Sequence, residues 1–186
     1  MHRYVSMDRL VKDIESFAKQ EFPKSAVSSY LAETLIEPNS LSPYLKYEKH
    51  RYTRHLVHKN TDFELLGICW GKGHSAPIHG HEGELCWARV EQGRLLFSNF
   101  RVLSENPLQL SPEGAPVEGK VGFLDGPAEI HSVANPMSFG INAVSLHLYS
   151  KPYLKCDIYE SVKGPKRRVR LAYDTIHAQP VNSVPN

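Results

Sequence analysis

From residue 52 to residue 159 the chain keeps one rhythm: short, mostly apolar stretches of three to eight residues, separated by turn signals. The stretches are Tyr52–Val57, Phe63–Trp70, Ala76–Ile78, Leu85–Glu91, Leu95–Val102, Val121–Leu124, Ile130–Ala134, Ala143–Ser150 and Cys156–Tyr159. Turns fall at Gly71–Gly73, Gly83, Gly93, Asn106–Pro107, Ser111–Gly114, Asp125–Pro127 and Asn135–Pro136. Runs of this length and spacing predict strands, and an all-β sandwich or barrel rather than parallel βαβ units.

The flanks read differently. Val11, Ile14, Phe17, Ala18 and Phe22 recur at helical spacing before Pro23, and Ser25 to Leu35 places Val27, Tyr30, Leu31 and Leu35 on one face. A loop is expected from about Pro38 to Lys49. After Gly164 the chain is basic (Lys166, Arg167, Arg168, Arg170), then polar with Pro180 and Pro185, and reads as a solvated surface segment. The expected organisation is one domain over residues 1–186: a helical segment to about 40, a β-barrel from about 50 to 160, and a polar tail over about 164–186. With 41% apolar residues, 186 residues suffice for a single core. Lys and Arg number 22 against 20 Asp and Glu, too even a balance to argue for a nucleic-acid surface. Runs such as Leu65–Trp70 fall short of the roughly 18 residues of a membrane span, and MHRYVSMDRLVKDIE lacks an apolar leader core. Three cysteines do not make a disulfide framework. The expectation is a monomeric cytoplasmic protein without nucleic-acid or membrane partners.

Ten histidines are the unusual count. His79 and His81 are two apart, so on a strand both rings face one side. An isolated pair of this kind is ordinarily surface decoration or a bonded core pair, but its surroundings carry more. Gly73, His79, His81, Cys86 and Gly93 match the first cupin motif, G-x5-H-x-H-x4-E-x6-G, with cysteine in place of glutamate. His131 with Asn135 resembles the end of the second cupin motif, about fifty residues on. That resemblance implies a double-stranded β-helix holding three histidines. Cys86 is either a further ligand, which would suit zinc, or a buried small residue; Cys69 and Cys156 read as core.

Ser145, His147 and Tyr149 alternate and so share a face, either the polar side of a half-buried strand or a hydroxyl–imidazole–phenol relay inside the barrel. Tyr52 and Arg54 also share a face; a buried arginine there needs an anion, for which a carboxylate is the natural partner.

The segments YTRHLV (52–57), CWGKGHSAPIHGHEGELC (69–86), IHSVAN (130–135) and SLHLYSKPY (145–153) together resemble the cysteine dioxygenase family, mononuclear iron enzymes of the cupin superfamily, over about residues 40–160. The resemblance implies that His79, His81 and His131 bind one Fe(2+), and that Arg54 holds the substrate carboxylate with Tyr52 and Trp70 as pocket residues. Tyr149 is then the active-site tyrosine, supported by His147 and Ser145, and Cys86 the cysteine that in animal members forms a thioether with it, a protein-derived cofactor. Ser150 is followed by Lys151 rather than the proline of animal members, and Leu85 stands in place of their histidine. The implied reaction is oxygenation of L-cysteine by O2 to cysteine sulfinic acid. The rivals are a dioxygenase of another thiol such as 3-mercaptopropionate, against which the arginine at position 54 argues, and a metal-binding cupin without catalysis.

Overall fold

The computed structural model describes residues 2–181. Strand β1 (Arg3–Val5) leads into helices α1 (Met7–Ala18) and α2 (Lys24–Glu33), strand β2 (Thr34–Ile36) and helix α3 (Pro38–Leu41), which ends in a 3-10 turn at Ser42–Tyr44. The β region follows: β3 (Thr53–Lys59), β4 (Glu64–Trp70), β5 (Ser75–Gly80), β6 (Cys86–Gln92), β7 (Arg94–Glu105), β8 (Leu108–Pro112) and β9 (Val117–Lys120). It continues with β10 (Leu124–Ala128), β11 (Ile130–Ala134), β12 (Ala143–Tyr149), β13 (Lys155–Tyr159), β14 (Lys166–Arg170), β15 (Thr175–Ile176) and β16 (Gln179–Pro180). Among the described residues two large sheets form, ordered β10-β6-β12-β4-β3-β15-β16 and β14-β13-β5-β11-β7-β8, with β9 added to β7. This is the mainly β, cupin-type barrel that the motif spacing implies, with short helices ahead of it.

The alternation in β12 explains how helices and barrel share one sheet. Val144, Leu146 and Leu148 point outward into a core with Leu10 and Ile14 of α1 and Val27 and Leu31 of α2. Ser145, His147 and Tyr149 therefore point inward, and all are buried. Every residue of β4 and β12 is buried, which is what a strand covered on both faces requires. Helix α1 starts at Ser6, whose Oγ accepts from Arg9 N at 3.2 Å, with Asp8 in the first turn. Under the helices lies a buried ion pair. Arg89 Nε donates to Glu91 Oε1 at 2.5 Å, and Arg89 Nη1 donates to Leu31 O (3.0 Å) and Thr34 Oγ1 (2.9 Å). Glu91 Oε2 accepts from Ile36 N at 2.9 Å, so both charges tie α2 and β2 to the barrel.

Several sequence readings are corrected. Val121–Leu124 is not a strand: residues 121–122 form a turn, with Gly122 at φ 88° and Phe123 N donating to Lys120 O, and β10 begins at Leu124. Helix α2 stops at Glu33, because Thr34–Ile36 pairs in parallel with β1. The loop expected over 38–49 contains α3 and the 3-10 turn. The segment after Gly164, whose Lys166–Arg170 stretch is largely solvent-exposed, also carries strands: β14 pairs with β13, and β15 runs parallel to β3. Pro185 lies outside the described residues.

Candidate active site

Strand pairing brings the three histidines together. His131 on β11 is the register partner of His79 on β5, and His81 follows one residue after β5 ends. The ring centroids are 5.1 Å (His79–His81), 4.8 Å (His79–His131) and 4.7 Å (His81–His131) apart, with interplanar angles of 67–80°. Their ligand nitrogens all lie within 4.8 Å of one another. Each Nδ1 faces an acceptor: Pro77 O for His79 (2.8 Å), Glu129 O for His81 (2.9 Å) and Asp125 Oδ2 for His131 (2.9 Å). A carbonyl or carboxylate oxygen accepts only, so each Nδ1 carries its proton and each Nε2 keeps a lone pair. The Nε2 atoms of His81 and His131 are buried without a partner. Burial, reinforced by the neighbouring imidazoles, pushes His79 down to about 3 and His81 well below the ordinary histidine range. Converging, partnerless lone pairs on neutral rings fit a divalent transition metal.

A hydrogen-bonded chain approaches this centre from the side. Trp70 Nε1, which can only donate, bonds Ser145 Oγ at 2.8 Å. Ser145 Oγ lies 2.9 Å from His147 Nε2, the acceptor that its own buried hydroxyl needs. His147 Nδ1 therefore bears the proton and faces Tyr149 Oη, at the long distance of 3.5 Å. Burial holds His147 neutral and raises the Tyr149 phenol well above its ordinary range, so both stay uncharged. Tyr149 lies 5.8 Å from His81, ring to ring. Cys86 on β6 is its direct cross-strand partner, fully buried, and burial together with the charge of Asp125 raises its thiol well above the usual value.

Arg54 on β3 enters the same interior. Its Nε is buried with no hydrogen-bond partner, and no ion pair to it occurs among the described residues. Tyr52, Tyr149 and Tyr153 lie close enough to bear on its charge. Tyr52 stacks on Trp70 at 4.8 Å. All the residues singled out from the sequence thus converge on one region. The sequence reading passed over four others: Asp125 beside His131, Tyr153 beside Tyr149, Glu64, the register partner of Tyr149, and Asp174. The Asp174 carboxylate accepts from Arg54 N at 2.8 Å, and its N–H donates to Arg54 O at 2.8 Å.

Fold and site define a double-stranded β-helix with an internal three-histidine centre. A solved double-stranded β-helix protein of Klebsiella pneumoniae shares the architecture, with a TM-score of 0.52, 14% identity, and coverage of 66% of this chain and 90% of that one. Residues 3–162 match the family model of cysteine dioxygenase type I. The chain is 30% identical over 160 residues to cysteine dioxygenase type 1 of Homo sapiens (84% of this chain, 80% of that protein). To the protein of the same name in Rattus norvegicus it is 32% identical over 162 residues (86% and 80%). The chain belongs to the cysteine dioxygenase type I family.

Proposed function

We propose that this site oxidises L-cysteine with O2 to cysteine sulfinic acid. The carrying observation is the pairing of the three converging Nε2 lone pairs with the Arg54 side chain, whose buried Nε has no partner and which has no anion of its own among the described residues. Ferrous iron held by His79, His81 and His131 would supply the one-electron chemistry that lets dioxygen react with sulfur. Three neutral ligands leave the ion its full charge, which favours an anionic thiolate beside it. Arg54 orients the substrate carboxylate, and Tyr52 and Trp70 wall the pocket. Tyr149 donates a hydrogen bond toward the reacting groups, with His147 and Ser145 behind it. Both oxygen atoms end on sulfur, so no external reductant is needed. A Cys86–Tyr149 thioether is part of the reading: forming the C–S bond removes two hydrogens, for which dioxygen is the oxidant.

The reading extends to one cupin domain acting as a cytoplasmic monomer without nucleic-acid or membrane partners. The even charge balance and three unpaired, buried cysteines support it. No helix among the described residues is long and apolar enough to cross a membrane.

The test is oxygen uptake by anaerobically iron-loaded protein given L-cysteine and 3-mercaptopropionate in parallel. Stoichiometric sulfinate with cysteine preferred is the expected outcome; preference for the other thiol would move the carboxylate assignment. No uptake despite bound iron would leave a cupin without this chemistry. Arg54→Ala should keep iron and lose cysteine affinity, and unchanged cysteine binding in that variant would sink the role of Arg54.

A further inference from the structure

Cys86 belongs to a second group of converging ligand atoms. Its Sγ, one ring nitrogen of His131 and one of His147 all lie within 4.8 Å of one another, the same limit that the three-histidine set meets. All three side chains are buried. Strand pairing brings them together. Tyr149 is the cross-strand partner of Cys86, so His147, two residues earlier on the same inward face of β12, lies diagonally opposite the thiol. His131 closes the trio from β11, its ring 6.3 Å from that of His147 and at 79° to it.

The hydrogen bonds show which atoms are free to bind. His131 Nδ1 is committed to Asp125 Oδ2, which leaves Nε2, buried and without a partner. His147 Nε2 is engaged with Ser145 Oγ at 2.9 Å, whereas Nδ1 has only the 3.5 Å contact with Tyr149 Oη. Binding through Nδ1 moves the ring proton to Nε2, and Ser145 turns from donor to acceptor there, which an oxygen with two lone pairs permits. The contact survives reversed, and what is given up is an acceptor for the serine hydrogen. Charge and softness then select the ion. One thiolate and two neutral imidazoles leave a divalent ion with net positive charge in a buried site, with the Arg54 guanidinium near enough to bear on Cys86 and His147. A monovalent ion leaves none. Thiolate with imidazole is a soft donor set, and copper(I) is the soft monovalent ion it suits.

We infer that Cys86, His131 and His147 form a copper(I) site: the ion takes the place of the Cys86 thiol proton, which passes to solvent, and no electron is transferred. His131 Nε2 has one lone pair to give, so copper(I) and a complete three-histidine centre exclude each other. A thioether between Cys86 and Tyr149 removes the thiol and with it the site.

The test is anaerobic competition for copper(I) between the coloured chelator bicinchoninate and metal-free protein, run in Tyr149→Phe, where the thioether cannot form and Cys86 stays free. The expected result is a single copper(I) whose X-ray absorption shows sulfur as well as nitrogen neighbours. Adding Cys86→Ser should remove the sulfur and lower copper(I) affinity about 100-fold or more, the share one ligand carries in a small thiolate–imidazole site, while ferrous iron binds as in the parent. Adding His79→Ala should do the reverse, with ferrous iron lost and copper(I) affinity kept. A Cys69→Ser/Cys156→Ser variant, in which Cys86 is the remaining thiol, should keep the sulfur neighbour, and it decides the matter where Cys86→Ser fails to fold. No copper(I) uptake, or sulfur that disappears in that double variant, overturns the inference. So does copper(I) affinity that falls in His79→Ala but not in Cys86→Ser, which places the ion on the three histidines. Iron-loaded wild type that shows no cysteine-dependent oxygen uptake overturns the proposed reaction and leaves this site standing.

Discussion

Asp125 sets one of the three histidines apart. His79 and His81 give their Nδ1 protons to neutral carbonyls, whereas His131 gives its proton to a carboxylate, whose other oxygen accepts from Asn99 Nδ2 at 2.7 Å. An anionic partner makes an imidazole a stronger donor and fixes its orientation. Asp125→Asn should therefore weaken metal affinity about 10- to 100-fold, as read by competition with a coloured chelator. Equal affinity in the variant would show that the carboxylate adds nothing beyond a neutral acceptor. The histidines themselves were legible in the sequence, because His79 and His81 fall at the spacing of one cupin motif and His131 with Asn135 at that of the other, even though His81 lies just past the end of β5. Asp125 was not. Its setting, Asp-Gly-Pro, has the composition of a turn, and only the bulged pairing of β10 with β6 aims its side chain inward. Tyr153 was hidden for a similar reason, since nothing local distinguishes a loop tyrosine from a surface one.

At the level of the element, β3 is held from behind by Asp174 and the adjoining strand β15. Asp174 brackets Arg54 with two backbone hydrogen bonds and pairs with Arg51, while Thr175 Oγ1 lies 2.9 Å from His55 Nδ1. His55 Nε2 donates to Lys46 O at 2.9 Å, so Nδ1 accepts the Thr175 proton and the ring is neutral. Burial lowers the pKa of His55 below its ordinary 6.5. The unfolded chain therefore takes up this proton first on acidification. The contribution of His55 to stability is full above pH 6.5 and is lost as pH falls below it. In His55→Gln, urea denaturation should show a shallower loss of stability between pH 7 and pH 5 than wild type; parallel curves would remove His55 from the acid response. None of this was legible beforehand. Lys166–Arg170 lacks the alternation that marks a strand, and residues 54 and 174 are linked by no pattern, only by the path of the chain.

For the molecule as a whole, the sequence declared strands but not their order. Short apolar runs say that a segment is extended; they do not say that β12 lies between β6 and β4, which depends on the two faces of β12 meeting different cores. One face meets the helices and the other the metal pocket, so occupancy of the pocket is coupled to global stability. Addition of ferrous or another divalent metal to the metal-free protein, at about 100 times its dissociation constant, should add roughly 2.7 kcal/mol to unfolding free energy. Chelation should reverse it, and an unfolding midpoint indifferent to metal would mean the ion does not bind the native centre. The helices bring a different consequence, in time rather than energy. They are made before the barrel, yet the part of the sheet that covers Leu10, Ile14, Val27 and Leu31 is completed by β12, which ends at Tyr149. At about 5–20 residues per second, a growing chain carries those apolar faces uncovered for roughly 5–20 s, a window in which a chaperone, not the protein itself, must shield them.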